Sequence, residues 1–229
     1  MLKTSDEKYL KAIYQLSLSE KGKKAGITDL AYTLDLKPPT IHERLKILQQ
    51  SKLITYKKTA GIHLTRTGEK EALVVIRKHR IWETFLHKVC KFGWSEVHEL
   101  AEQLQHVNSE KLIDRIYSLS GEPKFDPHGD PIPDKSGALP VSHRRPLLNS
   151  VEGCKCIVVG VNEDSPDFLN YLTEINIGLN EKLLVERIFL FDGSLKVAFK
   201  NFQSTVLSSK VAEKILVTCV KSGCSCKIQ

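Results

Sequence analysis

The sequence predicts a mainly α protein with a β-rich C-terminal part: a winged helix-turn-helix domain, a helical middle domain and a compact β-barrel. Six of the nine prolines lie between residues 121 and 150, a density that neither a helix nor a central strand tolerates. Apolar residues recur mainly at helical spacing before this segment, whereas short β-type runs dominate after it. We therefore expect domains at residues 1–72, 73–140 and 153–229, with a linker at residues 141–152.

Three helices are predicted in the first 50 residues. Apolar residues at helical spacing, beginning at Tyr9, indicate the first helix. The segment "ITDLAYTLDL" predicts a short second helix with Thr28 as its N-cap. A tight turn then leads to "PPTIHERLKILQQ", where proline is tolerated in the first turn and Ile41, Leu45 and Leu48 pack inward.

A β-hairpin is predicted directly after the third helix. The segment "LITYKKTAGIHLTRTG" alternates apolar and polar residues around Thr59, Ala60 and Gly61, with two lysines near the tip. Two helices, a turn, a third helix and a basic hairpin follow the order of elements in a winged helix-turn-helix. In this module the last helix enters the major groove of DNA, while the hairpin and the helix ends contact phosphates.

The charge distribution indicates a polyanionic partner for the first domain. Residues 1–75 contain 12 Lys and 2 Arg against 8 acidic residues, so most of the net charge of +7 lies there. We expect double-stranded DNA, although a basic solvated surface and a protein-interaction domain are alternatives. The candidates for base contact are Thr40, His42, Glu43 and Arg44, and the other candidate DNA contacts are Lys37, Pro39, Lys46, Lys57, Lys58 and Arg66.

Composition argues against a membrane protein and against an exported one. No apolar run approaches the roughly 18 residues that a membrane span requires, and the N-terminus has no continuous apolar core for a signal peptide. We therefore predict a cytoplasmic protein with no membrane partner. The six cysteines are then more consistent with thiols than with a disulfide framework. The motifs "CKC" and "CSC" are weak signals of a metal site, because a second ligand pair is absent.

Two predicted helices carry residues that can coordinate a metal. The segment "IRKHRIWETFL" places His79 and Glu83 four residues apart, on one helical face. In "VHELAEQLQHV", which predicts a helix over residues 97–107, the polar face carries His98, Glu102, Gln105 and His106. A single His/Glu pair on a helix is usually a surface ion pair, but two such helices facing each other could hold one ion.

The chain resembles, from end to end, the diphtheria-toxin-repressor family of metal-dependent transcription regulators. The resemblance includes "EKYLKAIYQL", "PPTIHERLKILQQSKLI" and "LTRTGEKEA", and it is most specific in "RKHRIWETFL", "VHELAEQLQHV" and "DPHGDPIP". It implies a DNA-binding domain, a helical domain for homodimerisation and metal binding, and a C-terminal SH3-like barrel. It further implies a repressor, usually of metal-uptake genes, that binds operator DNA when the metal is plentiful.

The resemblance implies one metal site that this chain retains. Its residues would be His79, Glu83 and His98, completed from the barrel by Asp164 and Asp167. A set of nitrogen and oxygen ligands without sulfur favours Mn(II) or Fe(II), although Zn(II) would also bind. The family's members with glutamate at the position of Glu102, rather than cysteine, are of the manganese type, so Mn(II) is expected first and Fe(II) second.

A second site implied by the resemblance is altered in this chain. Glu102 and His106 match the family, but Gln105 replaces a glutamate and Lys8 replaces a methionine or aspartate of the first helix. A protonated ammonium cannot ligate a cation and repels it. Two hypotheses follow: the charge of Lys8 replaces the missing ion by meeting Glu102, or Lys8 extends into solvent.

Two rival functions are consistent with parts of the sequence. One is a zinc hydrolase built on the histidines and Glu83, but Asp164 and Asp167 would fill the open position that catalytic zinc needs. No H-E-x-x-H signature is present either, so we expect no enzyme. The other is a winged-helix regulator whose metal control has decayed, which the replacements at positions 8 and 105 would accompany.

Overall fold

The computed structural model describes residues 3–19, 25–199 and 204–220. The chain divides into two compact units. The first comprises residues 1–79, 104–109 and 133–139, and the second comprises residues 80–103, 110–132 and 140–229. The division falls inside one continuous helix, α4 (Arg66–Lys88), which also runs through the predicted boundary at residue 72 without a break.

The first unit contains the predicted helices and hairpin. They are α1 (Thr4–Ser19), α2 (Ile27–Leu34), α3 (Pro38–Gln50), β1 (Ile54–Lys57) and β2 (Gly61–Leu64). The two strands pair antiparallel, with Lys57 opposite Gly61, so residues 58–60 form the turn of the hairpin. The predicted order of a winged helix-turn-helix is therefore present.

The start of α2 differs from the sequence prediction. Gly26 is the N-cap, not Thr28, and the backbone N–H of Gly26 donates to Asp29 Oδ2 at 2.9 Å. An acidic side chain three residues into the helix thus satisfies the cap backbone, which a pattern based on Ser or Thr caps does not anticipate. At the other end of α2, Asp35 has a positive φ of 52° and begins the turn to α3.

The core of the first unit is formed by residues at the predicted inward positions. Ile41, Leu45 and Leu48 of α3 are buried against Leu10 and Leu30 of the first two helices. The start of α4 lies close to this core, because a Cβ built on Gly68 would fall 1.9 Å from the backbone oxygen of Leu53. Only glycine allows α4 to approach the hairpin so closely.

The second unit combines helices with a six-stranded antiparallel sheet. Its helices after α4 are α5 (Val97–Leu104), whose last residue belongs to the first unit, α6 (Glu110–Leu119), α7 (Pro166–Glu174) and α8 (Ser209–Lys214). The strands are β3 (Arg145–Pro146), β4 (Lys155–Val161), β5 (Lys182–Ile188), β6 (Leu195–Ala198), β7 (Ser204–Leu207) and β8 (Ile215–Cys219). Their order in the sheet is β3-β8-β4-β5-β6-β7. The short β-type runs predicted after the proline-rich segment correspond to strands β4 to β8.

Two features of the second unit were not anticipated. The predicted linker at residues 141–152 contains β3 and a short 3₁₀ turn (Leu147–Asn149), and Leu147 is fully buried in the core below the sheet. Helix α8 is the other addition, and Ser208 caps it by accepting from the N–H of Val211. Among the described residues, no helix has the length and apolar content needed to cross a membrane.

Candidate metal centre and DNA-binding face

Helices α4 and α5 bring together three of the predicted metal ligands. His79, Glu83 and His98 each place a ligand atom within 4.8 Å of the other two. His79 and Glu83 lie one turn apart on α4, so the helix itself fixes their relative position. Glu83 Oε1 lies 3.1 Å from His98 Nδ1, and the Glu83 side chain is only 2% exposed. A buried carboxylate between imidazoles is suited to a divalent cation.

The two predicted ligands from the barrel differ in position. Asp164, in the loop before α7, places Oδ2 3.7 Å from His98 Nδ1. Asp167 lies in the first turn of α7 and is exposed. Within the described part of the chain, the groups of three or more candidate ligands do not include Asp167. The structure thus brings Asp164 to the edge of the centre, whereas Asp167 is not among the grouped candidate ligands of the described residues.

A second group of candidate ligands shares Glu83 and was missed in the sequence. Glu83, Asp126 and His128 also place ligand atoms within 4.8 Å of one another, and all three are buried. The Nε2 of His128 lies 2.9 Å from the backbone oxygen of Trp94, so this nitrogen donates. The other ring nitrogen then faces Glu83 Oε1 at 3.7 Å. The motif "DPHGDPIP" contains both missed residues, but it was used only as a marker of the family.

Hydrogen bonds and close packing fix the loop that carries Asp126 and His128. Asp126 Oδ1 accepts from the backbone N–H groups of His128 and Asp130, at 2.8 and 2.9 Å. The loop lies directly on β4, because a Cβ on Gly129, whose φ is +85°, would fall 2.0 Å from the oxygen of Val159. Both constraints hold the ring of His128 in a defined place beside Glu83.

The surroundings of Asp126 disfavour the charged form of its carboxyl group. Burial, followed by the nearby charges of Glu83 and Asp130, raises the pKa of Asp126 well above its ordinary value. Arg80 opposes this shift, with Nε 3.5 Å from Asp126 Oδ2. A cation near Glu83 and Asp126 would favour the charged form of both carboxyl groups.

The helix predicted over residues 97–107 ends early, so the candidate ligands of the second site do not all lie on it. Helix α5 stops at Leu104, so Glu102 remains on the helix while Gln105 and His106 lie in the turn that follows it. The expectation that all four polar residues share one helical face is therefore wrong. Residue 105 is fully buried, and apolar periodicity alone did not reveal that the chain turns at this point.

Within the first unit, Gln105 and His106 contact an ammonium and a carboxylate group of α1. Lys11 of α1 is buried and donates to Gln105 Oε1 at 3.5 Å. His106 Nδ1 lies 2.5 Å from Glu7 Oε2, and the other oxygen of Glu7 lies 3.8 Å from Lys78 Nζ. Lys8, in contrast, is exposed. The lysine that contacts these residues is therefore Lys11 rather than Lys8. This favours the hypothesis that Lys8 extends into solvent.

The chemistry of the two groups differs in its fit to a metal. The group around Glu83 offers imidazole nitrogens and carboxylate oxygens without sulfur, which suits Mn(II) or Fe(II). The group around Gln105 contains Lys11 and Lys78, whose ammonium groups supply positive charge already. A divalent cation fits the first group and not the second.

The predicted DNA-binding residues lie on α3, at its start and on the hairpin, except Arg66, which begins α4. All of them are exposed except Arg44, which is half-buried: Lys37, Pro39, Thr40, His42, Glu43, Lys46, Lys57, Lys58 and Arg66. Arg44 forms an ion pair with Asp6 at 2.6 Å and also donates to Ser5 Oγ of α1. The guanidinium thus joins α3 to α1 instead of extending from the exposed face.

Comparisons with known proteins agree with a DNA-binding domain, a metal-binding domain and a β domain along nearly the whole chain. Residues 1–62 match the N-terminal DNA-binding domain of iron-dependent repressors, and residues 65–134 match the metal-binding and dimerisation domain of the same proteins. Residues 145–219 match the FeoA domain. A solved structure described as a manganese-dependent transcriptional repressor in complex with manganese has a TM-score of 0.84 and 31% identity. That comparison covers 94% of this chain and 100% of the other.

This chain belongs to the diphtheria-toxin-repressor family. Its curated relatives include the diphtheria toxin repressor of Corynebacterium jeikeium (strain K411), 28% identical over 66% of this chain and 63% of the relative. The iron-dependent repressor IdeR of Mycobacterium tuberculosis (strain ATCC 25618 / H37Rv) is 33% identical over 56% of this chain and 54% of the relative. The matches thus span somewhat more than half the length of these curated relatives.

Membership of the diphtheria-toxin-repressor family confirms the predicted fold class and the expectation that the protein is not an enzyme. The family consists of transcriptional repressors, with helical DNA-binding and dimerisation domains, and in this chain they are followed by a FeoA-type β domain. Relatives of both the iron-dependent and the manganese-dependent kind occur, so family membership does not fix the metal.

Proposed function

We propose that this protein is a Mn(II)-responsive repressor that binds operator DNA as a homodimer in the cytoplasm and controls genes of metal uptake. The observation that carries the proposal is the group of His79, Glu83 and His98, in which three ligand atoms converge around a buried carboxylate. The DNA-binding domain of the same chain would bind the operator in response to the metal.

The proposed ion is held by His79, Glu83 and His98, with Asp164 and Asp167 as additional oxygen ligands. Glu83 supplies the central negative charge, and His128 and Asp126 hold its surroundings in place. When bound, the divalent ion supplies a multivalent positive charge that cross-links these side chains. Fe(II) is the second candidate for this donor set, and Zn(II) is expected to bind in vitro.

The proposed signal is a change in the population of DNA-competent dimers. A ligand shifts such an equilibrium only by its differential affinity for the two arrangements. Two recognition helices must be spaced to match half-sites about 34 Å apart on one face of DNA, so a small change in arrangement alters affinity strongly. No second ion is proposed at Glu102, Gln105 and His106, because the ammonium groups of Lys11 and Lys78 already provide positive charge there.

The DNA contacts are proposed to come from exposed residues of α3, of the hairpin and of the start of α4. Thr40, His42 and Glu43 face outward and are available to base edges, while Lys37, Lys46, Lys57, Lys58 and Arg66 are available to phosphates. Pro39 lies in the first turn of α3 and is exposed beside them. Arg44 is assigned a structural role because it pairs with Asp6.

The experiment that tests this function selects duplexes from a random library with the Mn(II)-loaded protein and then measures affinity by fluorescence anisotropy. We expect tight binding with Mn(II) and at least tenfold weaker binding in excess chelator. A Glu83→Gln variant should bind weakly under both conditions, whereas Glu99→Gln, an exposed substitution on α5, should respond like the unaltered protein. Equal affinity with metal and with chelator would instead indicate decayed metal control.

A further inference from the structure

The β domain contains a thiol pair that the proposed regulation by metal does not use. Cys154, which precedes β4, and Cys219, which ends β8, have their sulfur atoms 3.7 Å apart. Both residues carry thiols and no disulfide. A disulfide bond is about 2.05 Å long, so the sulfurs need to approach by less than about 2 Å to bond.

The fold holds both sulfurs in this position. Cys219 is the register partner of Cys156 across the β4–β8 ladder, and the backbone oxygen of Cys154 accepts from the N–H of Val185 on β5. Cys154 is 3% exposed, whereas Cys219 is half-buried. A small reagent can therefore reach Cys219 more readily than Cys154.

A guanidinium contacts both thiols. Arg145 Nη2 lies 3.0 Å from Cys219 Sγ and 3.5 Å from Cys154 Sγ, at the start of β3, which pairs with β8. A positive group against sulfur stabilises the negative charge that develops when sulfur attacks or leaves, as in reactive cysteines of other proteins.

We propose that Cys154 and Cys219 form a reversible disulfide when the protein meets a hydroperoxide. The Cys219 sulfur attacks the peroxide, an S–O bond forms as the O–O bond breaks, and one water leaves. The Cys154 sulfur then attacks the sulfenic sulfur, the S–S bond forms as the S–O bond breaks, and a second water leaves. The two thiols lose two electrons and two protons, and hydrogen peroxide is reduced to two waters. The modification site is thus distinct from the metal centre.

Peptide mapping tests this assignment directly on the full chain. Reduced, metal-free protein is exposed to hydrogen peroxide, remaining thiols are alkylated, and the tryptic digest is analysed without reduction. Trypsin separates the candidates, because Cys154 falls in residues 145–155, Cys156 in residues 156–182, Cys219 in residues 215–221, and Cys224 and Cys226 in residues 222–227. The last two cysteines lie outside the described residues.

The expected product links peptide 145–155 to peptide 215–221, with a mass about 2 Da below the sum of the two reduced peptides. Dithiothreitol should reduce the disulfide and release the two peptides. Cys156→Ser, the matched control in the same strand region, should keep it, and Cys154→Ser should abolish it. A dominant link to residues 156–182 or 222–227, or oxidation that stops at unlinked sulfonic acid, would overturn the proposal.

A second variant keeps the proposal testable if Cys154→Ser does not fold. Arg145→Gln removes the charge at both sulfurs while it keeps a polar side chain. The rate of disulfide formation at equal peroxide should fall severalfold in Arg145→Gln, and an exposed control on the β domain, Lys210→Gln, should leave the rate unchanged. An unaltered rate in Arg145→Gln would contradict the role assigned to the guanidinium.

Discussion

Glu83 is the side chain on which most contacts of the candidate metal centre converge. Its carboxylate contacts His98 at 3.1 Å and faces His128 at 3.7 Å, and it is buried among other acidic groups. A ligand that is held from two sides loses little conformational freedom when an ion binds, which raises affinity. His128 should therefore influence metal affinity through Glu83 without contacting the ion.

His128→Ala should weaken Mn(II) binding by about 10- to 100-fold, the usual effect of removing a group that orients a metal ligand. Titration calorimetry measures the change, and thermal unfolding in chelator checks that the variant is folded. His143→Ala is the matched control, because His143 is exposed in the same unit. Unchanged affinity in His128→Ala would show that the ring does not position Glu83.

Asp126→Asn should alter the pH dependence of stability in the metal-free protein. Because burial and Glu83 raise the pKa of Asp126, the folded state binds its proton more tightly than the unfolded state. The unaltered protein therefore loses stability as pH rises from about 4 to the folded pKa, at about 1.4 kcal/mol per unit of pKa difference. Asparagine keeps an oxygen acceptor for the backbone N–H groups and removes this loss. Urea unfolding at several pH values should show the variant gaining stability relative to the original as pH rises; parallel curves would refute the assignment.

Residue-level prediction succeeded where the spacing within a helix sets the geometry and failed where a loop sets it. His79 and Glu83 were identifiable because four residues make about one helical turn. Asp126 and His128 lie 43 and more positions later in a proline-rich loop, and no local periodicity connects them to Glu83. Their approach depends on the packing of Gly129 against β4, which only the folded chain reveals.

At the scale of elements, the recognition helix is joined to the first helix by Arg44 and Asp6. Their side chains are 18% and 12% exposed, so the ion pair is largely shielded from solvent. A double-mutant cycle of Arg44→Ala and Asp6→Ala should give a coupling energy of about 1–2 kcal/mol by urea unfolding. The exposed pair Lys196 and Glu186 serves as the control and should give a smaller coupling. Equal couplings would show that Arg44 does not hold α3 to α1.

The hairpin should contribute to DNA affinity through phosphate contacts. Lys57 ends β1 and Lys58 begins the turn, and both are exposed. Replacing both by alanine should lower the slope of log affinity against log salt concentration by about 2 and weaken binding to all duplexes alike. Anisotropy titrations over a range of salt measure the slope. The double control Lys155→Ala and Lys182→Ala, on the β domain, should leave it unchanged, and a loss confined to one DNA sequence would indicate base contact instead.

Apolar periodicity predicts the presence of a helix or strand better than it predicts where that helix or strand ends. The strands after residue 153 and the helices of the first domain were found because each pattern is strong and bounded by turn residues. Helix α5 was drawn three residues too long, because Val107 continues its apolar stripe although the chain turns after Leu104. The early end of α5 is explained by tertiary packing, because Gln105 is buried beside Lys11 when the chain leaves the helix.

At the scale of the whole molecule, the proposal requires that one ion and one DNA duplex influence each other. The group around Gln105 already contains the ammonium groups of Lys11 and Lys78, so a single Mn(II) per chain is expected. The coupling must also be reciprocal, because a factor by which metal raises DNA affinity is necessarily the factor by which DNA raises metal affinity. Typical couplings of this kind are about 5- to 150-fold.

The most direct measurement is a calorimetric titration of Mn(II) into the protein alone and into its complex with a selected duplex. We expect one Mn(II) per chain in both titrations, an affinity at least tenfold higher in the complex, and loss of that binding in Glu83→Gln. Equal Mn(II) affinities with and without DNA, or binding that persists without the carboxylate of Glu83, would contradict this expectation.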